Sequence, residues 1–413
     1  MSAPVVVLML TLLLAIQPVS TDLYLPALPT LQRALGATLA ATQMTLSALI
    51  ICFGAAQLVC GPLADRFGRR PVLLVGLTLY TVASVGAALA PSIDALIAWR
   101  AVQGGAMAAA VTGGRSILRD LFAPHEGARV MTSALGGLGV IAMLSPLVGA
   151  LLVHWFDWHA TLLMTALFGA VTLAFIALRF EETVPQRNPQ ATELRAVLAN
   201  WRLVLAHPTF RAWTALTCCS WGGLFCLLAG SSFVFINMLG TSRLAYGAIL
   251  ASSAVAYIAG TWLCRRLLPR HGLRGTVQRG AWFSLVGGLS MAALSLAGIE
   301  TVWAIVLPQW LFAVGHGVIQ PCGQSGSVGP FPRQAGTAAS LSGFVMMLVA
   351  FAVGQVIGHT LTNSVLPLTL GVGGFGVLVA AVAWTLVQRD GDPAAIGAIA
   401  SVSAVPAQTA PAL

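Results

Sequence analysis

The 413 residues are 58% apolar or aromatic, another 43 are glycine, and only 21 are basic and 12 acidic. A soluble domain carries about 25% charged residues, so this composition excludes the soluble globular class. It also excludes a disordered or collagen-like chain. The formal net charge of +9 could suggest nucleic acid as a partner, but no long polar segment is present to form a binding domain.

Stretches without charge divide the chain into candidate membrane spans, because a bilayer core excludes charge and a spanning helix needs about 20 apolar residues. Ten stretches of at least 20 residues lack charge; they are residues 1–21, 34–64, 71–93, 130–156, 158–178, 212–242, 244–264, 280–299, 301–332 and 334–388. The last is long enough for two helices, with a turn near Asn363 and Pro367. Residues 95–114 are apolar apart from Arg100. The sequence therefore predicts an all-α membrane protein with twelve transmembrane helices.

The longest polar connection lies between the sixth and seventh predicted spans. It separates an N-terminal six-helix half at residues 1–180 from a C-terminal six-helix half at 211–388, with a cytoplasmic linker at 181–210. Two such halves around a central cavity are typical of transporters that work by alternating access. The tail at 389–413 is interrupted by prolines, and we expect it to be disordered.

Arginine is distributed unequally between the two sides of the predicted spans. One side receives only Arg33 and Arg243, and Arg100 lies within a span. The other side receives Arg66, Arg69, Arg70, Arg115, Arg119, Arg129, Arg179, Arg187, Arg195, Arg202, Arg211, Arg265, Arg266, Arg270, Arg274, Arg279, Arg333 and Arg389. Short cytoplasmic loops carry the excess of basic residues in membrane proteins. This asymmetry predicts that both termini are cytoplasmic, and it explains the net charge without nucleic acid.

The most specific motif is GPLADRFGRRP, which runs from Gly61 to Pro71 between the second and third spans. It resembles motif A of the major facilitator superfamily, and its matching residues are Gly61, Asp65, Arg66, Gly68, Arg69 and Arg70. The resemblance implies that Asp65 latches one half to the other. The eleventh span would begin on the same side, so its positive N-terminus is a suitable partner for this carboxylate. Gly61 and Gly68 would allow close helix approach and a tight turn. A simple solvated turn is the alternative.

A second motif is STDLYLPALP, from Ser20 to Pro29 in the first span. It is similar to the signature of the Bcr/CflA group, the bicyclomycin and chloramphenicol exporters among drug:proton antiporters. AGSSFV, beginning at Ala229, and AGTAAS, beginning at Ala335, extend the resemblance to the second half. The resemblance implies a multi-pass protein of the bacterial inner membrane that exchanges protons for drugs.

The fourth span contains WRAVQG, which resembles motif B of the superfamily at Arg100, Gln103 and Gly104. The resemblance implies that Arg100 takes part in proton coupling. A lone arginine in an apolar helix is costly and usually faces a cavity or a partner. The alternative is that Arg100 extends to the membrane surface near Asp94.

The fifth span contains SPLVGA, which resembles motif C, the antiporter motif, at Pro146 and Gly149. Small residues in a membrane helix also allow close packing against any neighbour. Both interpretations of the motif therefore stay open.

Asp22 is the one carboxylate with apolar sequence on both sides within a predicted span. Burial favours the protonated form of a carboxylate, whereas a nearby arginine favours the ionised form. We therefore expect Asp22 and Arg100 to act together as a protonation switch that also meets the substrate. The alternative is an aspartate that caps a helix break before Pro26 and Pro29.

Several polar side chains on apolar helices are candidates for lining the substrate cavity; they are Tyr24, Gln43, Gln57, Asn237, His316 and Gln320. Each could instead bond to a neighbouring helix. His316 titrates near the pH range that proton transfer needs, but it could also be a core histidine with a satisfied hydrogen bond.

The chain has no lysine, so it cannot contain the GxxxxGK loop of an ATP-driven transporter. We predict a proton-coupled exporter of drugs or other small amphipathic compounds, with protons, substrate and the lipid bilayer as partners. We expect a monomer without cofactor, metal or enzymatic activity. Export of an endogenous metabolite, such as an amino acid or a sugar, is the alternative.

Overall fold

The computed structural model describes residues 3–392 except 123, 185–188, 333 and 363, and the regular elements in that part are all helical. The α-helices are α1 (Ala3–Thr21), α2 (Leu28–Ala34), α3 (Leu39–Phe67), α4 (Arg69–Ala88), α5 (Ile93–Leu121), α6 (Pro124–Trp155), α7 (Trp158–Arg179), α8 (Leu194–Ala206), α9 (Pro208–Ser232), α10 (Arg243–Leu296), α11 (Val302–Val328), α12 (Ala335–Thr360), α13 (Leu366–Trp384) and α14 (Leu386–Asp390). Short 3₁₀ turns lie at Leu25–Ala27 and Pro189–Thr192, and a π-helical turn lies at Phe233–Met238.

These helices form the twelve predicted spans. Ten helices of the described chain are long and apolar enough to cross a membrane. One of them, α10, has 54 residues and contains the eighth and ninth spans, which Gly272 separates with a φ of 61°. The remaining span is α5, in which charged and small residues lower the hydropathy. The last two spans are separate helices, α12 and α13, as predicted; Asn363 of the predicted turn lies outside the described residues, and Pro367 lies in the first turn of α13.

The first span is not one continuous helix. Helix α1 ends at Thr21, a 3₁₀ turn follows, and α2 completes the crossing. Pro26 and Pro29 lack the amide hydrogen that a regular helix would need at these positions, which accounts for the interruption. Asp22 lies at this break, directly after α1.

The linker between the halves contains a helix that the sequence analysis did not predict. In α8, Leu194 and Leu198 are exposed, whereas Val204 is fully buried. Val204 belongs to a small apolar cluster with Phe210, Phe331, Ala338 and Leu341, and Leu58 of α3 packs against it. The linker therefore contacts both halves.

The start of the tail is ordered, contrary to the prediction of disorder from residue 389. The hydroxyl of Thr209 donates to the carbonyl of Asp390 at 2.7 Å, and Trp213 Nε1 donates to the carbonyl of Gly391 at 3.1 Å. These bonds attach residues 390 and 391 to α9. The rest of the predicted disordered tail, from 393 onward, lies outside the described residues.

The two ends of the bundle differ in charge. The arginine-rich side holds the α3–α4 turn, and the opposite side holds the start of α3 at Leu39. The two halves pack against each other mainly through α3 with α12 and α6 with α10.

Candidate transport site

A cavity of about 340 Å³ lies between the two halves, toward the arginine-rich side. Both halves contribute to its wall: α1, α3, α5 and α6 from one, and α9, α11 and α12 from the other. The lining residues are Gln17, Phe53, Gln57, Arg115, Met131, Thr217, Gln324, Ser325, Ser327, Val328, Ala339, Ser342, Gly343, Met346 and Met347. Polar side chains on an otherwise apolar wall are typical of small-molecule sites.

Contacts between the halves close the opposite side. Gln43 of α3 donates a hydrogen bond to the carbonyl of Ala229 on α9. On α12, Gly354 packs against Ser47, and a Cβ built at Gly358 would lie 3.2 Å from Ala40 Cα. The bundle is therefore closed at one end and holds its inter-half cavity toward the other.

Motif C contributes to the same closure. A Cβ at Gly149 of α6 would overlap the carbonyl of Leu23, directly after Asp22. A Cβ at Gly247 of α10 would lie 3.0 Å from the carbonyl of Pro146. Helix α6 thus packs closely on the break in the first span and on the other half.

Arg100 lies inside the N-terminal half and is 0% exposed, so it does not extend to the membrane surface. It donates to Gln103 Oε1 at 2.7 Å and to the carbonyl of Ser20 at 2.9 Å. Its guanidinium also lies over the ring of Tyr24, 4.3 Å from the centroid. These partners are uncharged. Arg100 and Asp22 thus have different partners in this conformation, and their joint role as a protonation switch stays a prediction.

Hydrogen bonds extend from Arg100 into the surrounding helices. Gln103 Nε2 donates to Ser84 Oγ at 2.6 Å, and the hydroxyls of Ser20 and Tyr80 are 2.6 Å apart. The hydroxyls of Tyr24 and Thr45 are 2.9 Å apart. The network joins four of the six spans of this half, and it connects Arg100 to the backbone two residues before Asp22.

Asp22 is partly exposed, and its carboxylate accepts a hydrogen bond from Thr21 Oγ1 at 2.8 Å. No backbone amide of the described residues donates to it, so Asp22 does not cap the helix break. It follows Gln17, which lines the cavity, by five residues, or about 7 Å along a helix axis. Asp22 therefore lies beyond the cavity, toward the closed side.

Motif A forms a charged cluster with its own half and with the linker. Arg69 contacts Asp65 at 2.6 Å and Asp120 of α5 at 3.0 Å. Arg66 donates to Thr192 Oγ1 at 2.5 Å, and Arg70 donates to the carbonyl of Ala177 at 3.0 Å. The side chain of Asp65 is 46% exposed. It accepts no hydrogen bond from the described N-terminus of α12, so the expected latch is not formed in this conformation.

The turn of motif A depends on Gly68, which has a φ of 106°. A Cβ there would overlap the carboxylate of Glu182, which accepts hydrogen bonds from the amides of Arg69 and Arg70 at 2.9 and 3.2 Å. Glu182 thus caps the N-terminus of α4. By contrast, a Cβ at Gly61 would meet no atom within 4 Å, so the expected close approach there is wrong.

The ionisation of Glu182 reflects this position outside the membrane. Partial removal from water opposes its charge, but the amides of Arg69, Val184, Arg70 and Thr183 donate to the carboxylate and outweigh that effect. The pKa of Glu182 is therefore lower than usual.

Of the six residues predicted to line the cavity, Gln57 lines it and Gln320 lies beside it, donating to Met346 Sδ at 3.5 Å. The other four lie elsewhere. Tyr24 stacks on Arg100, Gln43 bonds across the closed side, and Asn237 is exposed near the end of the seventh span. Polarity alone could not distinguish these environments, because it does not fix the rotation of each helix.

His316 lies in the core of the C-terminal half. It is 2% exposed, and its Nδ1 is 2.8 Å from the hydroxyl of Ser220. The rings of Trp221 and Tyr257 lie on two sides of it. This is the arrangement of a core histidine with a satisfied hydrogen bond, which the sequence left open as an alternative.

The sequence analysis missed the roles of three charged residues. Arg115 was counted among the loop arginines, but it lines the cavity. Asp120 and Glu182 bind motif A although neither belongs to it. An acid at the end of the fourth span and another at the end of the sixth, both on the side of motif A, are the signals that could have indicated them.

Similarity to known proteins agrees with this architecture. The chain is 30% identical to a chloramphenicol resistance protein of Pseudomonas aeruginosa, over 78% of this chain and 75% of the relative. It is 27% identical to multidrug resistance protein D of Escherichia coli (strain K12), over 90% and 91% of the two chains. The crystal structure of a D-xylose-proton symporter superposes with a TM-score of 0.75 at 14% identity, over 94% of this chain and 98% of that one, which supports the fold alone.

A family profile matches most of the sequence. The match covers residues 10–354 and is described as the Major Facilitator Superfamily. The first relative's name also agrees with the resemblance of the first span to the Bcr/CflA group. With its twelve spans in two six-helix halves, the chain belongs to the Major Facilitator Superfamily.

Proposed function

We propose that the protein is a proton-coupled antiporter that exports drugs or other small amphipathic compounds across the bacterial inner membrane. The observation that carries this proposal is the cavity between the halves, which lies toward the arginine-rich side while contacts between the halves close the other side. Such a cavity can take up a substrate on one side and release it on the other after the halves rock. The names of the two relatives, which refer to chloramphenicol and multidrug resistance, support a drug as the substrate.

The arginine distribution supports the direction of transport. Arg66, Arg70 and Arg179 lie on the side toward which the cavity is displaced. The positive-inside rule assigns this side, with both termini, to the cytoplasm. The conformation described here would then take up its substrate from the cytoplasm, as an exporter must. We further propose that the linker at 181–210 divides two functional units of a monomer.

The break in the first span supports a route for proton coupling. Ser20 binds Arg100 through its carbonyl, and Asp22 follows two residues later at the break. Protonation of Asp22 removes a charge from a segment that packs closely on Gly149. A shift of this segment would reach Arg100 through the backbone rather than through a direct ion pair. Asp22 would thus gain or lose its proton on the closed side while the substrate occupies the cavity on the other side.

The test uses inverted membrane vesicles energised by respiration, in which the lumen is acidic. Chloramphenicol, florfenicol, bicyclomycin or a lipophilic cation is added, and the luminal pH is followed. We expect the wild type to release protons from the lumen when a substrate is added, and we expect Asp22→Asn to release none although it inserts normally.

The matched control is Asp94→Asn, which removes an exposed aspartate from the first turn of α5 on the same side. It should behave like the wild type. Full proton release by Asp22→Asn would contradict the role of Asp22. A well-inserted wild type that responds to none of the drugs would contradict drug export and favour an endogenous metabolite.

A further inference from the structure

The cavity contains a cation, Arg115, with which no acid of the described residues forms an ion pair. Arg115 lies on α5, six residues before the helix ends, and its side chain is exposed into the cavity. Among the described residues, it makes no hydrogen bond, ion pair or ring contact. The other lining residues are neutral. We propose that Arg115 makes the cavity selective for amphipathic organic anions, whose acidic group it binds; this inference rests on the proposed transport function.

Nearby acids of the described chain are engaged elsewhere. Asp120 of the same helix accepts from Arg69 at 3.0 Å and from Thr183 Oγ1 at 3.2 Å. Asp65 contacts Arg69 as well. Among the residues that the structure describes, no carboxylate forms an ion pair with Arg115. Arg100, farther along the same helix, is by contrast enclosed by its own partners.

The environment makes an anion a favourable partner for Arg115. An arginine stays charged in proteins, so a molecule that enters the cavity meets a fixed positive charge. A sulfonate or carboxylate oxygen would accept a charge-assisted hydrogen bond from the guanidinium, and such a bond is stronger than one between neutral groups. A cationic substrate would meet repulsion instead, with no acid in the wall to offset it.

The rest of the wall suits the apolar part of such a molecule. Phe53, Met131, Met346 and Met347 line the cavity. Methionine side chains are flexible and polarisable, so they adapt to aromatic groups of different shape. Gln17 and Gln57 add hydrogen-bond groups that tolerate several orientations. An aromatic molecule with one acidic group therefore matches both the charge and the surface of the cavity.

The test compares two probes that differ by one anionic group, 1-anilinonaphthalene-8-sulfonate and the neutral N-phenyl-1-naphthylamine. Binding to the purified full-length protein in phosphatidylcholine nanodiscs is measured by energy transfer from tryptophan, after subtraction of empty nanodiscs. We expect Arg115→Gln to weaken the sulfonate roughly tenfold or more and to leave the neutral probe unchanged. Arg115→Lys should retain most of the sulfonate affinity.

The matched control is Arg179→Gln, which removes an exposed arginine at the end of α7 on the same side, away from the cavity. It should change the affinity for neither probe. An unchanged ratio of the two affinities in Arg115→Gln would overturn the inference, and so would a parallel loss of both probes, which would indicate a structural role. The binding measurement does not depend on transport. If the protein shows the predicted ratio of affinities but exchanges no protons for drugs, the anion site is supported and the proposed transport function is contradicted.

Discussion

Two arginines of α5 show how the same side chain serves two purposes. Arg100 is fully buried and held by a glutamine, a backbone carbonyl and an aromatic ring. Arg115 is exposed into the cavity, and no described residue forms a hydrogen bond or an ion pair with its side chain. The first arrangement fixes four helices around one charge, and the second leaves a charge available to a ligand.

Glu182 allows a prediction about pH. Its pKa is lower in the folded protein than in the unfolded chain, so its contribution to stability is present above its unfolded value of about 4.3 and is lost as the pH falls through the folded value. We expect Glu182→Gln to lower the stability at pH 7 by about 0.5 kcal/mol, because a helix N-terminus favours a negative charge. The difference from the wild type should disappear in acid below the folded value. The measurement is the unfolding midpoint of the purified protein from pH 7 to pH 3.

The neighbouring Glu181→Gln serves as the control, because Glu181 is exposed and caps no helix. Its unfolding midpoint should follow that of the wild type at every pH. A constant difference between Glu182→Gln and the wild type down to pH 3 would argue against the charged cap.

For individual residues, the sequence indicated the unusual positions but did not predict the contacts that they make. Asp22, Arg100 and the charges of motif A were identified, because charge is rare in this chain. The sequence did not predict that Arg100 would bind the carbonyl of Ser20, because the rotation of α5 determines where the guanidinium points. Helix rotation depends on packing between distant segments and has no local signal in the sequence.

Packing between α3 and α5 explains a glycine that the motif alone leaves unexplained. A Cβ at Gly104 would overlap the carbonyl of Leu49, whereas a Cβ at Gly105 would meet no atom within 4 Å. We expect Gly104→Ala to destabilise the protein by about 1–3 kcal/mol, because the two helices must separate. The measurement is the thermal unfolding midpoint in detergent, together with the yield of monodisperse protein.

Gly105→Ala provides the comparison within the same helix turn. Alanine restricts the unfolded chain and fits the open space, so this variant should be as stable as the wild type or more stable by up to about 1 kcal/mol. Equal destabilisation by both substitutions would show that helix flexibility, rather than the contact with Leu49, is what the glycines provide.

The helices themselves were largely predictable, because the absence of charge over about 20 residues is a strong signal. The linker helix α8 was not, since its sequence mixes arginines with leucines and resembles a polar loop. The segment 265–271 was likewise taken for a loop because of its arginines, but the helix continues to Gly272. In both segments arginine marks the membrane surface rather than the end of a helix.

A cross-link between the two halves can test whether they must separate on the closed side during transport. A Cβ at Gly354 would lie 3.6 Å from Ser47 Cβ, within the range of about 3.5–4.5 Å that disulfides adopt. We expect Ser47→Cys with Gly354→Cys to form a disulfide on oxidation and to stop transport, because the halves must separate there. Reduction should restore it. Transport is measured in the vesicle assay before and after reductant.

The native cysteines must be replaced in this experiment. The Sγ atoms of Cys264 and Cys322, on α10 and α11, are 3.5 Å apart and would compete for the oxidant. Each single substitution in the cysteine-free protein is the control and should be insensitive to oxidation. Undiminished transport by the cross-linked protein would contradict movement of the halves at this point.

The buried guanidinium of Arg100 also has an electrical consequence. It carries a full charge inside the N-terminal half, and its partners there are uncharged. A membrane potential does about 2.3 kcal/mol of work per 100 mV on a charge that crosses the entire field. If the rocking of this half moves the charge through one tenth of the field, the electrical work is therefore about 0.2 kcal/mol per 100 mV. The voltage then accelerates one half of the transport cycle and slows the other, even when the exchange of substrate for protons is electrically neutral.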